Sequence, residues 1–420
     1  MIKQFMQRTL RLIGENKLLS VISILGTALA ICMIMVIMIL YFVNTTGFKP
    51  EVNRDRTYYF STVLSSTKSD NRRMSFSSAG LPFIKDCYYP LKSAEVVTAV
   101  NQDMYSTYSV SSMDGLRNRS GYVISTDPAF WQLFKFDFLE GEAFSEAAFE
   151  SGIRDAVISE SVARDIFGTE NAVGKEMKLD YQVYAVRGVV KDVSRFATKA
   201  WADIWIPYRA EENQGWQEGV NGNLSCYVLL KNGYTREDLR KEALERVKAF
   251  NAKTSDINAD IRYQPFSQIQ EWIAGGNEGE VNPAKMFIQY GIIIFILLLV
   301  PALNLSGITL SRLRKRMPEL GVRRAFGATQ GVILWQVLME NMVLTLLGGI
   351  LGLAMSYGAM LLLRNWLLVS SIGKSGLSIG MFNGYVFVTA FLFCLVLNLL
   401  SAGVPAWKAS KNNITDSINE

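Results

Sequence analysis

Apolar residues are concentrated in four long stretches that contain no charged side chain: Leu18–Val43, Met286–Leu310, Asn341–Leu363 and Met381–Trp407. A helix rises about 1.5 Å per residue and needs roughly 20 apolar residues to cross the hydrocarbon of a bilayer. Each stretch is longer than this. The pattern therefore predicts a membrane protein with four transmembrane α-helices, at residues 18–43, 286–310, 331–363 and 381–407.

Lys and Arg residues beside the spans indicate the orientation of the chain, because basic loops stay in the cytoplasm. The stretch before the first span and the loop between the second and third spans are both rich in Lys and Arg. We therefore expect residues 1–17 (an amphipathic helix), 311–330 and 408–420 in the cytoplasm. Residues 45–285 and the short loop 364–380 then lie on the outer side.

Residues 45–285 are numerous enough to fold as a domain of their own. The stretch 181–190 is rich in β-branched and aromatic residues and predicts a strand. Helix boundaries are predicted by capping residues at Ser159, Gly168, Thr235 and Asp238. The mixture predicts a large α+β extracytoplasmic domain of two lobes between the first two spans. Within it, the polar and Ser-rich stretch 61–78 is predicted to be a mobile loop.

The chain contains no histidine and only four cysteines. The lack of histidine excludes Ser-His catalysis, HExxH zinc sites and ligation of haem by histidine. The cysteines are too scattered for a metal cage, so we expect no catalytic site, no metal or cofactor in this chain and no nucleic-acid partner. Cys87 and Cys226 both belong to the outer domain, so they could form a disulfide if that compartment is oxidising.

Two other features of the outer domain suggest chemistry and are interpreted as structural. Gly168–Lys175 resembles a phosphate-binding loop, but five residues separate its glycines and Glu176 replaces the Ser or Thr that holds magnesium. We interpret it as the turn that ends a helix. The carboxylates Asp127, Asp137 and Glu140 show no pattern typical of hydrolysis and are predicted to be solvated.

Small residues recur at four-residue spacing in two of the predicted spans. Gly348, Gly352 and Ser356 form such a row in the third span, and Gly26 and Ala30 form a shorter one in the first. Rows of this kind allow another helix to approach closely. We interpret these five residues as helix-packing positions, and ordinary membrane packing is sufficient to explain them.

The loop between the second and third spans contains the stretch Pro318–Thr329, which reads PELGVRRAFGAT. Glu319 and Arg323 are four residues apart in the order that stabilises a helix, and Gly327 can end that helix. Val322 and Phe326 give it an apolar face. Its positive charges would suffice to orient the protein, whereas a short amphipathic helix with paired arginines favours a docking element.

The same stretch, with Trp335, Gln336, Glu340 and Gly348, resembles the signature of the FtsX/MacB-type ABC transporter permeases. Three further segments resemble the MacB-like periplasmic core domain of that family, at Trp131–Gly141, Val157–Gly168 and Gly188–Val193. Pro405-Ala406 and Lys408-Ala409 are similar to the closing pattern of the family. The resemblance extends over the whole chain.

This resemblance implies a homodimer or heterodimer in the bacterial inner membrane, with a cytoplasmic ABC ATPase bound to each protomer. The ATPase would dock on a coupling helix that contains Glu319, Arg323, Arg324, Phe326 and Gly327. These 420 residues contain no Walker motif, so we expect ATP and magnesium to be bound by a separate chain.

In the family, ATP-driven motion reaches the outer domain by mechanotransmission. The resemblance therefore implies export of drugs, peptides or lipoproteins, with a periplasmic adaptor and an outer-membrane channel as candidate partners. The alternative is an FtsX-like regulator that transports nothing and acts on a periplasmic cell-wall hydrolase.

Overall fold

The structure of the chain is a computed structural model. It describes residues 17–69, 74–103, 106–210, 219–274 and 329–367, with isolated positions at 288–327 and 388–403. The chain divides into two compact units. One of these units consists mainly of the continuous segment Val43–Val281. We call this segment the outer domain. In chain order the described helices are α1 (Lys17–Thr45), α2 (Leu81–Cys87), α3 (Phe130–Leu133), α4 (Glu146–Glu150), α5 (Glu160–Phe167), α6 (Arg236–Lys253), α7 (Gln268–Ala274) and α8 (Gln330–Leu367).

Two of these helices, α1 and α8, are long and apolar enough to cross a membrane. The qualifying stretches are Ser20–Ile37 in α1 and Met342–Ala359 in α8. The spans predicted at 286–310 and 381–407 fall outside the described residues except for isolated positions, as do most of 1–17 and all of 408–420.

Sixteen strands are described, all of them in the outer domain. They are β1 (Thr57–Phe60), β2 (Val63–Thr67), β3 (Met74–Ala79), β4 (Ala94–Gln102), β5 (Tyr108–Ser112), β6 (Asn118–Gly121), β7 (Val123–Thr126), β8 (Phe138–Gly141), β9 (Asp155–Ser159), β10 (Glu176–Leu179), β11 (Gln182–Val190), β12 (Ile204–Pro207), β13 (Asn221–Gly222), β14 (Ser225–Leu230), β15 (Ile257–Asp260) and β16 (Phe266–Ser267).

Twelve of the strands form one mixed sheet in the order β16-β1-β14-β4-β7-β12-β9-β11-β10-β5-β6, and β8 pairs with β11. The β7–β12 and β9–β11 pairs are parallel, and the other pairs of this sheet are antiparallel. The remaining four strands form a second sheet in the order β13-β3-β2-β15.

Two separate hydrophobic cores are buried along the large sheet. The first lies between α2, α6 and the strands β1, β4 and β14, and it includes Phe83, Tyr88 and Leu239. The second lies between α5 and the strands β9 to β12, and it includes Val162 and Ile166. Burial of apolar side chains at about 25 cal/mol per Å² makes these cores the main source of stability of the domain.

The helix caps predicted from the sequence are confirmed. Ser159 caps α5 by accepting a hydrogen bond from the amide of Val162, and Gly168 ends that helix with φ of 72°. Thr235 and Asp238 form both hydrogen bonds of a capping box at the start of α6. The predicted strand at 181–190 is also confirmed as β11.

The prediction of a mobile loop at 61–78 is wrong. This segment forms the antiparallel strands β2 and β3, with Val63 opposite Ser77 and Ser66 opposite Met74. Val63 and Ala79 are buried, and Ser65 accepts a hydrogen bond from the Asn221 amide at 2.8 Å. Serine and threonine side chains can pair with side chains of neighbouring strands, and such pairing cannot be recognised from composition alone.

Candidate functional site

The row of small residues in α8 lies against α1. A Cβ atom added at Gly348 would lie 2.7 Å from Cβ of Thr27, and one added at Gly352 would lie 2.8 Å from the carbonyl oxygen of Ala28. Both distances are shorter than a carbon atom tolerates, so glycine is required at these two positions for the helices to touch. The two glycines therefore allow side-chain and backbone atoms of α1 to lie close to the backbone of α8.

The other three packing positions differ from one another. Ser356 is buried on the same face of α8, and its hydroxyl donates to the carbonyl oxygen of Leu353 at 2.8 Å. A Cβ atom at Gly26 would meet no atom of the described residues within 4 Å, so this part of the structure shows no need for glycine there. Ala30 belongs to α1, but its side chain is outside the described part of the structure.

Part of the predicted coupling segment is described at Val322, Phe326 and Gly327. The amide of Phe326 donates to the carbonyl oxygen of Val322 at 3.1 Å, which is one turn of α-helix. Gly327 has φ of 95°, a value that glycine adopts readily at the end of a helix. The exposed fraction is 49% for Val322 and 88% for Phe326, so this turn presents an apolar surface. Glu319, Arg323 and Arg324 lie outside the described residues.

A buried polar network lies in the segment that follows α1. The carboxylate of Glu51 accepts hydrogen bonds from Nε of Arg54 at 2.7 Å and from Nε2 of Gln268 at 2.9 Å. It also accepts from the backbone amides of Lys199 at 2.8 Å and Ala200 at 3.0 Å. The side chains of Arg54 and Glu51 are only 2% and 1% exposed. The sequence predicted no role for these residues, because their partners are far apart along the chain.

The loop Gly168–Lys175 is the helix-ending turn that the sequence predicted. The backbone amides of Ala172 and Val173 donate to Oε2 of Glu140 at 2.9 Å and 3.2 Å. These two amides of the loop therefore bind a carboxylate of the same chain. The loop leads directly into β10, and its amide groups are satisfied by the carboxylate of Glu140.

Asp127 is buried, and the prediction that it is solvated is wrong. Its carboxylate accepts hydrogen bonds from Thr98 Oγ1 at 2.6 Å, the Ala99 amide at 2.9 Å and Tyr89 Oη at 3.0 Å. Burial raises the pKa of Asp127 to about 6, although the hydrogen bonds lower it. The sequence signal Asp-Pro resembles an exposed turn, whereas the side chain is directed inward onto β4. Asp137, in contrast, is 38% exposed beside Lys49.

Cys87 and Cys226 are free thiols in the structure, so the disulfide left open by the sequence is not formed. Both side chains are fully buried, Cys87 at the end of α2 and Cys226 in the centre of β14. Burial raises the pKa of Cys87 to about 12 and that of Cys226 well above its ordinary value, so both remain protonated thiols. Within the described residues, no group of three Cys, Asp or Glu side chains could hold a metal ion.

Two helices that are long and apolar enough to cross a membrane, together with a large α+β domain, are compatible with a membrane permease. Comparison with known families identifies the class further. Residues 20–246 match the MacB-like periplasmic core domain, and residues 291–414 match the FtsX-like permease C-terminal domain. The first match alone covers more than half of the chain, which therefore belongs to the MacB/FtsX-type family of ABC transporter permeases.

Relatives of this chain are named as ABC transporter permeases or as combined ATP-binding/permease proteins. The ABC transporter permease YvrN of Bacillus subtilis is 24% identical over 413 residues, which is 97% of each chain. YknZ of the same species is 25% identical over 76% of this chain and 73% of its own. The macrolide export ATP-binding/permease protein MacB of Burkholderia lata is 26% identical over 69% of this chain, which spans 39% of that longer protein.

Among solved structures, this chain is similar to the periplasmic region of MacB from Actinobacillus actinomycetemcomitans. The match covers 53% of this chain and 93% of that one, with 16% sequence identity and a TM-score of 0.38.

Proposed function

We propose that this chain is the permease subunit of an ABC transporter and transmits ATP-driven motion from its membrane helices to its outer domain. The observation that carries the proposal is the presence of both family domains in one chain, with apolar helices at 17–45 and 330–367. Relatives named for macrolide export and pyoverdine export support export as the purpose of that motion. Drugs, peptides and lipoproteins are the proposed cargo classes.

The proposed topology has four spans and cytoplasmic termini in the bacterial inner membrane. The basic flanks before the first span and between the second and third spans support this orientation. In this arrangement the outer domain, about 45–285, is periplasmic and the loop 311–330 faces the cytoplasm. The proposed working unit is a dimer, either of two such protomers or of this chain with a second permease. A periplasmic adaptor and an outer-membrane channel are proposed partners of the outer domain.

The proposed docking site for the ATPase is the turn around Phe326. Val322 and Phe326 are exposed apolar residues on one helical turn, and two arginines lie between them in sequence. An exposed aromatic residue flanked by Arg is typical of residues that contribute strongly to protein interfaces. We assign Glu319, Arg323 and Arg324 to the rim of this contact. ATP and magnesium are then bound by the partner chain.

The experiment is to purify the full chain from membranes together with its ATPase. We expect Arg323→Glu combined with Arg324→Glu to remove most of the ATPase from the complex, because the change reverses charge at the docking turn. The matched control is Arg312→Glu with Arg314→Glu, which changes the net charge of the same loop equally but lies before the turn. Equal recovery of the ATPase with both double variants would contradict the proposed docking site.

The same purification tests the purpose of the motion. Recovery of a periplasmic adaptor with the wild-type complex supports export. Recovery of a cell-wall hydrolase in its place would support the FtsX-like regulatory function and contradict export.

A further inference from the structure

Glu51 links three segments of the outer domain that are distant in sequence. It belongs to the incoming segment (residues 46–54), which directly follows α1. Its Oε1 atom accepts hydrogen bonds from the backbone amides of Lys199 and Ala200 in the bridging loop (residues 194–200). Its Oε2 atom accepts hydrogen bonds from Nε of Arg54 and from Nε2 of Gln268, the first residue of α7. Each oxygen thus accepts two hydrogen bonds, and one buried carboxylate connects the start and the end of the domain.

Arg54 completes the connection from the other side. Besides its pairing with Glu51, its guanidinium donates from Nη1 to the carbonyl oxygen of Thr46 at 3.1 Å and from Nη2 to that of Phe196 at 2.5 Å. It also lies over the ring of Phe48, 4.2 Å from the ring centre. Because the guanidinium is planar and rigid, these contacts fix the incoming segment against the bridging loop in one geometry.

A second ion pair connects the bridging loop to α7. Nζ of Lys199 lies 3.1 Å from Oε1 of Glu271, with the two side chains only 17% and 16% exposed. Glu271 also accepts a hydrogen bond from the hydroxyl of Ser61. Lys199 therefore contacts Glu51 through its backbone and Glu271 through its side chain. The three segments form a closed polar network within the outer domain.

This network is placed where the chain enters and leaves the outer domain. The incoming segment begins one residue after α1, and α7 ends at Ala274, shortly before the span predicted at 286–310. A buried ion pair adds little net stability compared with apolar residues of the same volume, whereas it restricts the geometry of the groups that it joins. The network is thus better suited to fixing positions than to holding the fold together.

We propose that Glu51 and Arg54 are positioning residues that hold the incoming segment and α7 as one body, so that motion of the first and second spans enters the outer domain as a single displacement. This rests on the proposed function as far as the source of the motion is concerned. The joining of the two segments is a property of the chain itself and can be tested without the ATPase.

The test variant is Glu51→Gln in the full chain in lipid nanodiscs. If the NH₂ group of the glutamine takes the place of Oε2, it faces the donors Arg54 Nε and Gln268 Nε2. If it takes the place of Oε1, it faces the backbone amides of Lys199 and Ala200. Either orientation loses two hydrogen bonds. The matched control is Asp203→Asn, because Asp203 is also a buried carboxylate paired with an arginine (Arg119, at 3.1 Å) and with a backbone amide (Tyr122, at 2.9 Å).

The measurement is amide hydrogen exchange. In Glu51→Gln we expect exchange to become at least about tenfold faster in both 46–56 and 266–274, although these segments are distant in sequence. Asp203→Asn should accelerate exchange near 119–122 and 203–207 and leave those two segments unchanged. Acceleration limited to 46–56 in Glu51→Gln, or equal acceleration of both segments in Asp203→Asn, would overturn the proposal.

Arg54→Lys provides a second variant if Glu51→Gln fails to fold. It keeps the positive charge but replaces the three-way guanidinium contact by a single ammonium group. We expect 46–56 and 194–200 to exchange faster together. Faster exchange in only one of these segments would overturn the joint role of the network.

A final arm separates this proposal from the proposed function. In the purified complex with its ATPase, the wild type and Asp203→Asn should show an ATP-dependent change of exchange in the outer domain. Glu51→Gln should lose that change while it still binds the ATPase and hydrolyses ATP. No ATP-dependent change in the wild type would contradict the proposed function alone, whereas an undiminished change in Glu51→Gln would contradict the positioning role alone.

Discussion

The helix pair α1–α8 and the outer domain achieve close contact in different ways. In the helix pair, Gly348 and Gly352 leave room for Thr27 and Ala28, so the contact depends on the absence of side chains. In the outer domain, two apolar cores are accompanied by buried ion pairs such as Glu51–Arg54 and Arg119–Asp203. The contact of the helix pair thus depends on complementary shape. The packing of the outer domain depends on apolar burial and on the geometry of its buried ion pairs.

The difference follows from the surroundings expected for each region. Hydrocarbon tails are as apolar as leucine, so burial of apolar surface does not drive helices together in a membrane, and close van der Waals contact does. Outside the membrane, water makes apolar burial the main driving force, and a buried carboxylate requires several donors. A substitution in the helix pair should therefore be most harmful where it adds atoms at a close contact. A substitution in the outer domain should be most harmful where it leaves a buried polar group without its partner.

Arg119→Met should have the largest effect, because it breaks the buried polar geometry of the second core. Arg119 contacts Asp165 at 2.8 Å and Asp203 at 3.1 Å, and Asp203 would remain as an unpaired buried charge. We expect the free energy of unfolding of the outer domain to fall by about 3–5 kcal/mol, measured by chemical denaturation of the full chain.

Arg164→Met is the matched control, since Arg164 also has two carboxylate partners, Glu160 and Glu170, but is 47% exposed. Its free energy of unfolding should fall by about 1 kcal/mol or less relative to the wild type. Equal losses for the two variants would show that burial does not decide the contribution of these pairs.

Asp127→Asn should have an intermediate effect that depends on pH. Asparagine can accept from the Ala99 amide and Tyr89 Oη and donate to Thr98, so the local contacts are kept. Because burial raises the pKa of Asp127 to about 6, its contribution to stability is present at low pH and is lost as pH rises through 6. Between pH 4 and pH 7, the wild type should lose about 2 kcal/mol relative to the variant.

Thermal unfolding of both proteins across this pH range measures the difference. A constant difference between wild type and Asp127→Asn at all pH values would show that folding leaves the pKa of Asp127 unchanged, and would contradict the effect of burial.

Gly352→Ala should have the smallest effect and tests the contact in the helix pair. The added methyl group would meet the Ala28 backbone at 2.8 Å, whereas alanine at Gly358 would meet nothing within 4 Å. Alanine also favours a helix, so Gly358→Ala should be neutral or stabilising, and the two variants should differ by at least about 1 kcal/mol. Unfolding of the full chain in mixed detergent micelles measures this difference, and indistinguishable variants would contradict the close contact.

The part of the fold that depends on local signals was predictable from the sequence. Ser159, Gly168 and the Thr235–Asp238 pair mark helix boundaries through hydrogen bonds to residues three or four positions away. The strand at 181–190 was recognisable because its own side chains prefer a pleated surface. Long apolar stretches similarly mark α1 and α8, since length and hydrophobicity are properties of one segment.

The features that sequence reasoning missed depend on distant partners. Glu51 and Gln268 are separated by most of the outer domain, and nothing near either residue indicates the other. Asp127 resembles an exposed turn residue until Thr98 and Ala99 of β4 are placed beside it. The Ser-rich strands β2 and β3 were missed for the same reason, because their pairing and not their composition makes them strands.

The most direct test of the account is ATP hydrolysis by the purified full chain in lipid nanodiscs, alone and with its co-purified ATPase. We expect no turnover by the chain alone and clear turnover by the complex. The Phe326→Asp variant should lose most of the turnover of the complex, since a charge would replace the exposed aromatic residue of the docking turn. ATP turnover by the chain alone, or full turnover in a complex with Phe326→Asp, would contradict the claim that this permease is driven through its coupling turn by a separate ATPase.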